Sequence, residues 1–162
     1  MRIKDKIKRP RRPVVAYEIL PPREKDGTLN SYAENISSLL SQTHIDAINI
    51  PEVRDEVARG ERPIKNQIRA EPREFGRLLQ DIVGIEAIIN RVVVHQDLQK
   101  EMNWLEETNL KYEIENLITV GGESRSIKYP GPSVNQALSA ISKNQKLDLL
   151  CGGISIPSRE KE

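Results

Sequence analysis

The stretch Pro72–His95, PREFGRLLQDIVGIEAIINRVVVH, encodes a helix that runs directly into a strand. Its apolar residues at i, i+3, i+4 and i+7 form one helical face, made by Phe75, Leu78, Leu79 and Ile82. Pro72 is typical of a first helical position, and Gly84 is typical of a helix end. The β-branched run within Ile88–His95 predicts a strand. The stretch therefore reads as one helix–strand unit of an α/β fold.

The same alternation continues on both sides of this unit. Further strands are predicted at 14–20, 45–50, 116–120 and 147–151, and further helices over 31–42, after Asp97 and after Ser133. Asp97 is a predicted helix cap, and Ser133 with Gln136 forms a capping-box pattern. Alternation of this kind favours a parallel sheet with right-handed crossovers. We expect five adjacent strands in the order 1-2-3-4-5.

Polar or unusual residues stand at the C-terminal ends of nearly every predicted strand: Glu18, Asn49, His95, Gly121–Glu123 and Gly152-Gly153. A (β/α)₈ barrel builds its site from these ends, whereas an open sheet uses chiefly one crevice. No Gly-x-Gly-x-x-Gly fingerprint follows any strand. The expected fold is therefore α/β, with about the first five units of a TIM barrel.

Composition narrows the class of protein. Of 162 residues, 37% are hydrophobic and 30% are charged, and no apolar run is long enough to cross a bilayer. The single cysteine, Cys151, excludes an internal disulfide and a cysteine-based zinc site, and a cytoplasmic location is expected. Two histidines argue against a His-rich metal site, so no metal is expected.

The near-neutral net charge hides a basic N-terminal arm. Residues 1–12 carry seven basic side chains and one acid, whereas the remainder carries 18 basic and 23 acidic side chains. Such an arm could contact nucleic acid, but a solvated, frayed terminus is the favoured interpretation. Only 4% of residues are aromatic, so neither nucleic acid nor membrane is an expected partner. We expect the arm to span 1–13 and the partial barrel to span 14–162.

Glu18 is the first candidate for chemistry, because it lies within an apolar run that is read as a buried strand. Burial would raise the pKa of its carboxyl group, and a protonated acid near neutral pH can act as a general acid. The alternative is a structural carboxylate paired with a buried Arg or Lys. Asn49 is a candidate ligand contact because it lies within an apolar strand, whereas the charge cluster that begins at Glu52 is read as a solvated loop.

Further candidates follow strands three and four. Gly121 and Gly122 would let a ligand approach the backbone closely, although a tight turn is the commoner meaning of Gly-Gly. The turn that begins at Tyr129 is rigid and places the tyrosine near the same strand end, as a pocket wall or as a cover for the rim. His95 ends strand three, either as a ligand contact or as a hydrogen-bonded rim residue.

These segments together resemble the methylenetetrahydrofolate reductase family. Tyr17–Arg23, YEILPPR, resembles the family's first-strand motif Phe-Glu-Phe-Phe-Pro-Pro-Arg or Lys. Val120–Glu123 resembles its fourth-strand end, often Arg-Gly-Asp, and Tyr129–Val134 and Gly153–Arg159 resemble segments of its divergent branches. The match covers nearly all of residues 14–160 in the right order.

The family is a flavin-dependent (β/α)₈ barrel of one-carbon metabolism, and it reduces 5,10-methylenetetrahydrofolate to 5-methyltetrahydrofolate. The resemblance implies an oxidoreductase with FAD as cofactor, NAD(P)H or another electron donor, and a folate-type substrate. It implies that Glu18 is the general acid and that Glu123 lies near the flavin ring and the pterin. Gly121, Gly122, Glu123 and Tyr129 would contact the cofactor, and Glu123 would also contact the substrate. From their strand positions, we expect His95 to join the cofactor contacts and Asn49 the substrate contacts.

The length of the sequence adds one further expectation. A complete barrel needs about 250 residues, whereas this sequence holds five predicted strands. We expect a fragment, a truncated product or one piece of an assembly, with a homo-oligomer or a complementary barrel half as partner. The alternative function is a non-catalytic module that completes its sheet with a partner chain.

Overall fold

The computed structural model describes residues 2–9, 12–53, 68–122 and 128–154. It is an α/β structure with one five-stranded sheet. The strands are β1 (Ala16–Glu18), β2 (Ala47–Pro51), β3 (Ala87–Val92), β4 (Asn116–Val120) and β5 (Leu150–Gly153). The α-helices are α1 (Ile3–Lys8), α2 (Leu29–Leu40), α3 (Pro72–Val83), α4 (Leu98–Leu110) and α5 (Val134–Lys143). None of these described helices has the length and apolarity that crossing a bilayer requires.

The sheet is parallel throughout, in the order β1-β2-β3-β4-β5, so the predicted strand order is confirmed. The register sets Glu18 beside Asn49 and Pro51 beside Asn90. Because all strands run the same way, their C-terminal ends share one edge of the sheet, called here the C-terminal edge. Closure into a TIM barrel stays a prediction.

The helix boundaries follow from local chemistry, as predicted. Pro72 is the first residue of α3, and Gly84 ends that helix in the left-handed conformation at φ 69°. The Asp97 side chain caps α4 by accepting a backbone N–H. Ser133 and Gln136 form the capping box that starts α5. These signals are contained within a few residues, which is why the sequence alone locates them.

Three strand predictions need correction. The first strand spans only Ala16–Glu18, and all three residues are exposed because β1 is an edge strand with β2 as its one neighbour. The third strand ends at Val92, and Val93–His95 forms a 3₁₀ turn instead. That turn packs against the segment between β4 and α5, since the backbone N–H of Gly131 donates to the Val94 carbonyl at 2.8 Å. The fifth strand lies later than predicted, at Leu150–Gly153.

The two faces of the sheet differ in burial. One face meets the helices, and its apolar side chains are fully buried: Ile48, Ile50, Ala87, Ile89 and Leu117. The residues that alternate with them point to the other face and are partly exposed: Asn49, Ile88, Asn90, Ile118 and Val120. The second face is therefore both more accessible and more polar than the first.

The basic N-terminal segment packs against the opposite edge of the sheet, so the predicted frayed terminus is wrong. An acidic residue stands just before each of four strands, and these four form the acid rim: Asp46, Glu86, Glu115 and Asp148. Each of them has a partner on α1 or on Arg2, the residue before it. Lys6 pairs with Asp46, and the Ile3 backbone N–H donates to Glu86. Arg2 pairs with Glu115, and Lys4 pairs with Asp148. Parallel pairing places these carboxylates side by side, where residues 2–6 supply three cations and one backbone N–H to them.

Asp46 is the most heavily bonded member of the acid rim. Its carboxylate accepts from Lys6 Nζ at 2.8 Å, from both terminal nitrogens of Arg12 and from the Val15 backbone N–H. Hydrogen bonds from Lys6 and Val15 hold the pKa of Asp46 well below its usual range, although burial opposes them. The arm is therefore bound to the start of β2 by a carboxylate that favours its ionised form.

Docking of α1 predicts opposite outcomes for its two isoleucines. Ile3 is 1% exposed and Ile7 is 51% exposed. We expect Ile3→Ala to lower the free energy of unfolding by about 2–5 kcal/mol. The matched change Ile7→Ala should stay within about 0.5 kcal/mol. Urea unfolding measures both, and equal small effects would show that the arm is frayed after all.

The depressed pKa of Asp46 predicts a pH-dependent contribution to stability. Because the folded-state pKa lies below the unfolded value of about 3.9, the carboxylate stabilises the fold above about pH 4. This contribution falls as the pH drops toward the folded-state pKa. We expect Asp46→Asn to destabilise the protein at neutral pH, and the difference from the unmodified chain to shrink below about pH 4.

Urea unfolding from pH 7 to pH 3 measures this difference. Asp81→Asn is the control, because Asp81 forms an exposed pair with Arg77 on α3. A gap between Asp46→Asn and the unmodified protein that is constant over the whole range would contradict a role for the Asp46 charge.

Candidate functional site

Glu18 and Asn49 meet at the C-terminal edge, as neighbours on β1 and β2. Asn49 Nδ2 donates to Glu18 Oε2 at 3.0 Å. Glu18 itself is exposed, so the predicted burial of this carboxyl group is wrong. The cause is the position of β1 at the edge of the sheet, where no described strand lies on one flank of Glu18. Among the described residues, no buried Arg or Lys pairs with Glu18, as the alternative interpretation expected.

Asn90 joins this pair, although the sequence analysis missed it. Asn90 lies opposite Pro51 and therefore on the same face of the sheet as Asn49. The side-chain oxygens Asn49 Oδ1 and Asn90 Oδ1 are both buried and have no hydrogen-bond partner. An unpaired buried acceptor costs about 1–3 kcal/mol, so two on one face mark a place where a ligand can donate. The signal in the sequence was an amide inside the β-branched run of β3.

A second group lies at the ends of β3 and β4. The His95 and Tyr129 rings meet edge-on, with centroids 5.6 Å apart. A Cβ atom at Gly122 would lie 2.3 Å from the Tyr129 ring, so only glycine leaves room for it. At Gly121 a Cβ atom would meet nothing closer than Val134, at 3.6 Å. The structure thus brings three predicted cofactor residues together, while Glu123 lies outside the described residues.

A buried ion cluster lies behind the C-terminal edge. Arg91 is 2% exposed, and its guanidinium pairs with Glu52 and Glu101 at 2.9 Å each. Burial alone lowers the pKa of Arg91, but hydrogen bonding to Glu101 and the charges of both carboxylates outweigh it and raise the pKa. The guanidinium also lies over the Trp104 ring, 4.3 Å from its centroid. Removing one partner of such a pair typically costs about 3–5 kcal/mol.

Glu52 makes this cluster relevant to the site. Its second oxygen accepts the Val92 backbone N–H at 2.9 Å, which ties the segment after β2 to the end of β3. The prediction that Glu52 is a solvated loop residue is therefore wrong. Asn49 and Asn90 lie on the two strands that this carboxylate joins, so the cluster fixes the spacing between them.

Two classes of chemistry gain no support from the described residues. Burial raises the pKa of the Cys151 thiol to about 11, so the thiol stays protonated near neutral pH and is a poor nucleophile. No group of three or more His, Cys, Asp or Glu side chains in the described ranges is placed to hold a metal ion. What the edge offers is a carboxylate, two amide acceptors and an apolar face.

The contact between Gly122 and Tyr129 predicts a difference between the two glycines. Gly122→Ala should displace the Tyr129 ring and cost about 1–3 kcal/mol, because a core-like contact is overpacked. Gly121→Ala is the matched control and should stay within about 0.5 kcal/mol. The measurements are urea unfolding and the ring-current shift of the His95 protons. Combining Gly122→Ala with Tyr129→Ala should remove the overpacking, and strictly additive losses would contradict the contact.

No protein-family model matches the chain, and no curated protein matches it. Function is therefore inferred from the chain's own residues, together with the motif resemblance.

Proposed function

We propose that the chain is the N-terminal part of a TIM-barrel enzyme that reduces 5,10-methylenetetrahydrofolate to 5-methyltetrahydrofolate with a flavin. One observation carries the proposal. The Glu18 carboxylate is held by Asn49 at the C-terminal edge, beside two buried amide oxygens that lack a donor. The parallel sheet, with its strands in chain order, supports the barrel. TIM barrels build their active sites at the C-terminal ends of the strands, which is the edge where Glu18 and Asn49 lie. A cytoplasmic location fits the free thiol.

FAD fits the residues of this edge. Asn49 Oδ1 and Asn90 Oδ1 can accept hydrogen bonds from the N–H groups of a flat heterocycle. Ile88, Ile118 and Val120 share their face of the sheet and supply apolar surface for the ring plane. When bound, FAD would supply the hydride for the reduction, after NAD(P)H or another donor has reduced it. Gly121, Gly122, His95 and Tyr129 would border the cofactor at the ends of β3 and β4.

Glu18 would supply the proton. Opening the methylene bridge breaks the bond between the bridging carbon and N10, so N10, on the aminobenzoate side, needs a proton as it leaves, and a carboxyl group within hydrogen-bond reach can provide it. Asn49 holds Glu18 Oε2 and so orients the carboxyl group, while Oε1 has no partner among the described residues. Because Glu18 is exposed, exclusion of water must come from the bound flavin and folate.

This role predicts a selective defect in Glu18→Gln. In the FAD-loaded protein, folate reduction should slow by about 10²–10⁴-fold. Reduction of the flavin by its electron donor should be nearly unchanged, because that half-reaction needs no proton on the folate. Glutamine keeps the shape and the partner Asn49, so folding should be preserved. Stopped-flow absorbance of the flavin follows both half-reactions separately.

Glu24→Gln is the control, since Glu24 is exposed in the nearby 3₁₀ turn Glu24–Asp26. It should leave both half-reactions unchanged. If both half-reactions fell together in Glu18→Gln, or neither did, Glu18 would be structural and the proposed mechanism would fail.

One observation favours the second candidate, a non-catalytic assembly module. Tyr17 on β1 and the flanking Val15 and Leu20 are exposed, and Tyr17 is 54% exposed. Among the described strands, β1 pairs with β2 alone. An apolar sheet edge of this kind is a template for pairing with another chain. This candidate would be favoured if the protein bound no FAD and self-associated, and if Tyr17→Arg abolished the self-association. Sedimentation velocity with and without FAD distinguishes the assembly module from the flavin-dependent enzyme.

A further inference from the structure

Arg69 has an incomplete set of partners beside the C-terminal edge. Its backbone forms an antiparallel bridge with Arg23, just after Pro21-Pro22. Arg69 Nη1 donates to the Pro21 carbonyl at 2.7 Å. Arg69 Nε is buried and has no hydrogen-bond partner. A buried guanidinium N–H without an acceptor is costly, so this atom calls for an explanation.

The acid beside Arg23, the bridge partner of Arg69, is already paired with Arg23 itself. Asp26 accepts from Arg23 Nε at 2.9 Å and from Arg23 Nη2 at 3.0 Å. Hydrogen bonds from Arg23 lower the pKa of Asp26 to about 2. Asp26 is therefore already engaged, and Arg69 forms no ion pair with any described residue. Within the described ranges, the positive charge of Arg69 has no counter-charge.

We propose that Arg69 binds an oxyanion of a ligand that occupies the C-terminal edge. Pro21 holds Nη1, which leaves the Nε–Nη2 side of the guanidinium, the side that pairs with two oxygens of one phosphate or carboxylate. Pro21 lies three residues after Glu18, a reach of at most about 10 Å along the chain. A ligand that contacts Glu18 and Asn49 can therefore carry its anionic group to Arg69.

The inference goes beyond the proposed reaction, because it concerns an anionic group and not hydride or proton transfer. Phosphate and carboxylate share the required chemistry, so the experiment uses one probe of each kind. Pyrophosphate and glutarate are titrated separately into the full chain at constant ionic strength. The Arg69 Nε–H signal in the NMR spectrum reports on the buried atom itself. The expected result is a saturable shift of that signal with at least one probe, and the tighter probe identifies the group.

Variants test the same site through affinity. Arg69→Gln should weaken binding of the tighter probe by about 10- to 100-fold, because a charge-assisted bond is lost. Arg69→Lys should weaken it less, since it keeps the charge but not the two-pronged geometry. Arg77→Gln is the matched control, because Arg77 on α3 already pairs with Asp81 and with Glu113, which follows α4. It should bind like the unmodified chain.

Two results would overturn the proposal: an Nε–H signal that does not respond to either probe, or equal affinity in Arg69→Gln and the unmodified chain. Arg69 would then be only a clamp on the Pro21 carbonyl. The NMR titration uses the unmodified protein, so it tests binding of an anion by Arg69 even if the variants fail to fold. If the Nε–H signal shifted saturably but the FAD-loaded protein did not reduce the folate substrate, the proposed reaction would be refuted and the anion site at Arg69 would stand.

Discussion

Parallel pairing of the five strands in chain order is the constraint on which the rest of the structure depends. With every strand running the same way, whatever precedes the strands collects at one edge and whatever follows them collects at the other. The acid rim forms at the first edge, and Glu18, Asn49 and Asn90 gather at the second. Binding of the N-terminal arm and the candidate chemistry are thus separated onto opposite edges by the same ladder.

The acid rim also explains why a chain of near-neutral net charge has a basic N-terminal arm and an acidic remainder. Four carboxylates at neighbouring strand starts would repel one another, and α1 supplies cations and a backbone N–H to them. Local sequence could not predict this helix. Six residues with two isoleucines are too few to form a stable helix in isolation, so α1 depends on docking. The charge imbalance was visible, but its partner was not, because those acids are distant in sequence.

At the C-terminal edge, the sequence predicted where the polar residues lie but not which residues they contact. Glu18 ends β1, Asn49 lies within β2 and His95 follows β3, and strand alternation alone places them near one edge. Burial of Glu18 could not be read from its apolar neighbours, since burial depends on what lies beside β1. Glu52 looked solvated because its partners, Arg91 and the Val92 N–H, lie about forty residues away. Asn90 and Arg69 were missed for a related reason: an unpaired atom is recognised only when its surroundings are known.

The central claim is that Asn49 and Asn90 face a bound flavin at the C-terminal edge. The most direct measurement is a titration of the full chain with FAD, followed by the side-chain amide signals of all asparagines in the NMR spectrum. We expect saturable shifts at Asn49 and Asn90. We expect no shift at Asn109, which lies near the C-terminal end of α4 and donates to the Ile114 carbonyl. Unchanged signals at Asn49 and Asn90 at saturating FAD, or shifts confined to the acid rim, would contradict it.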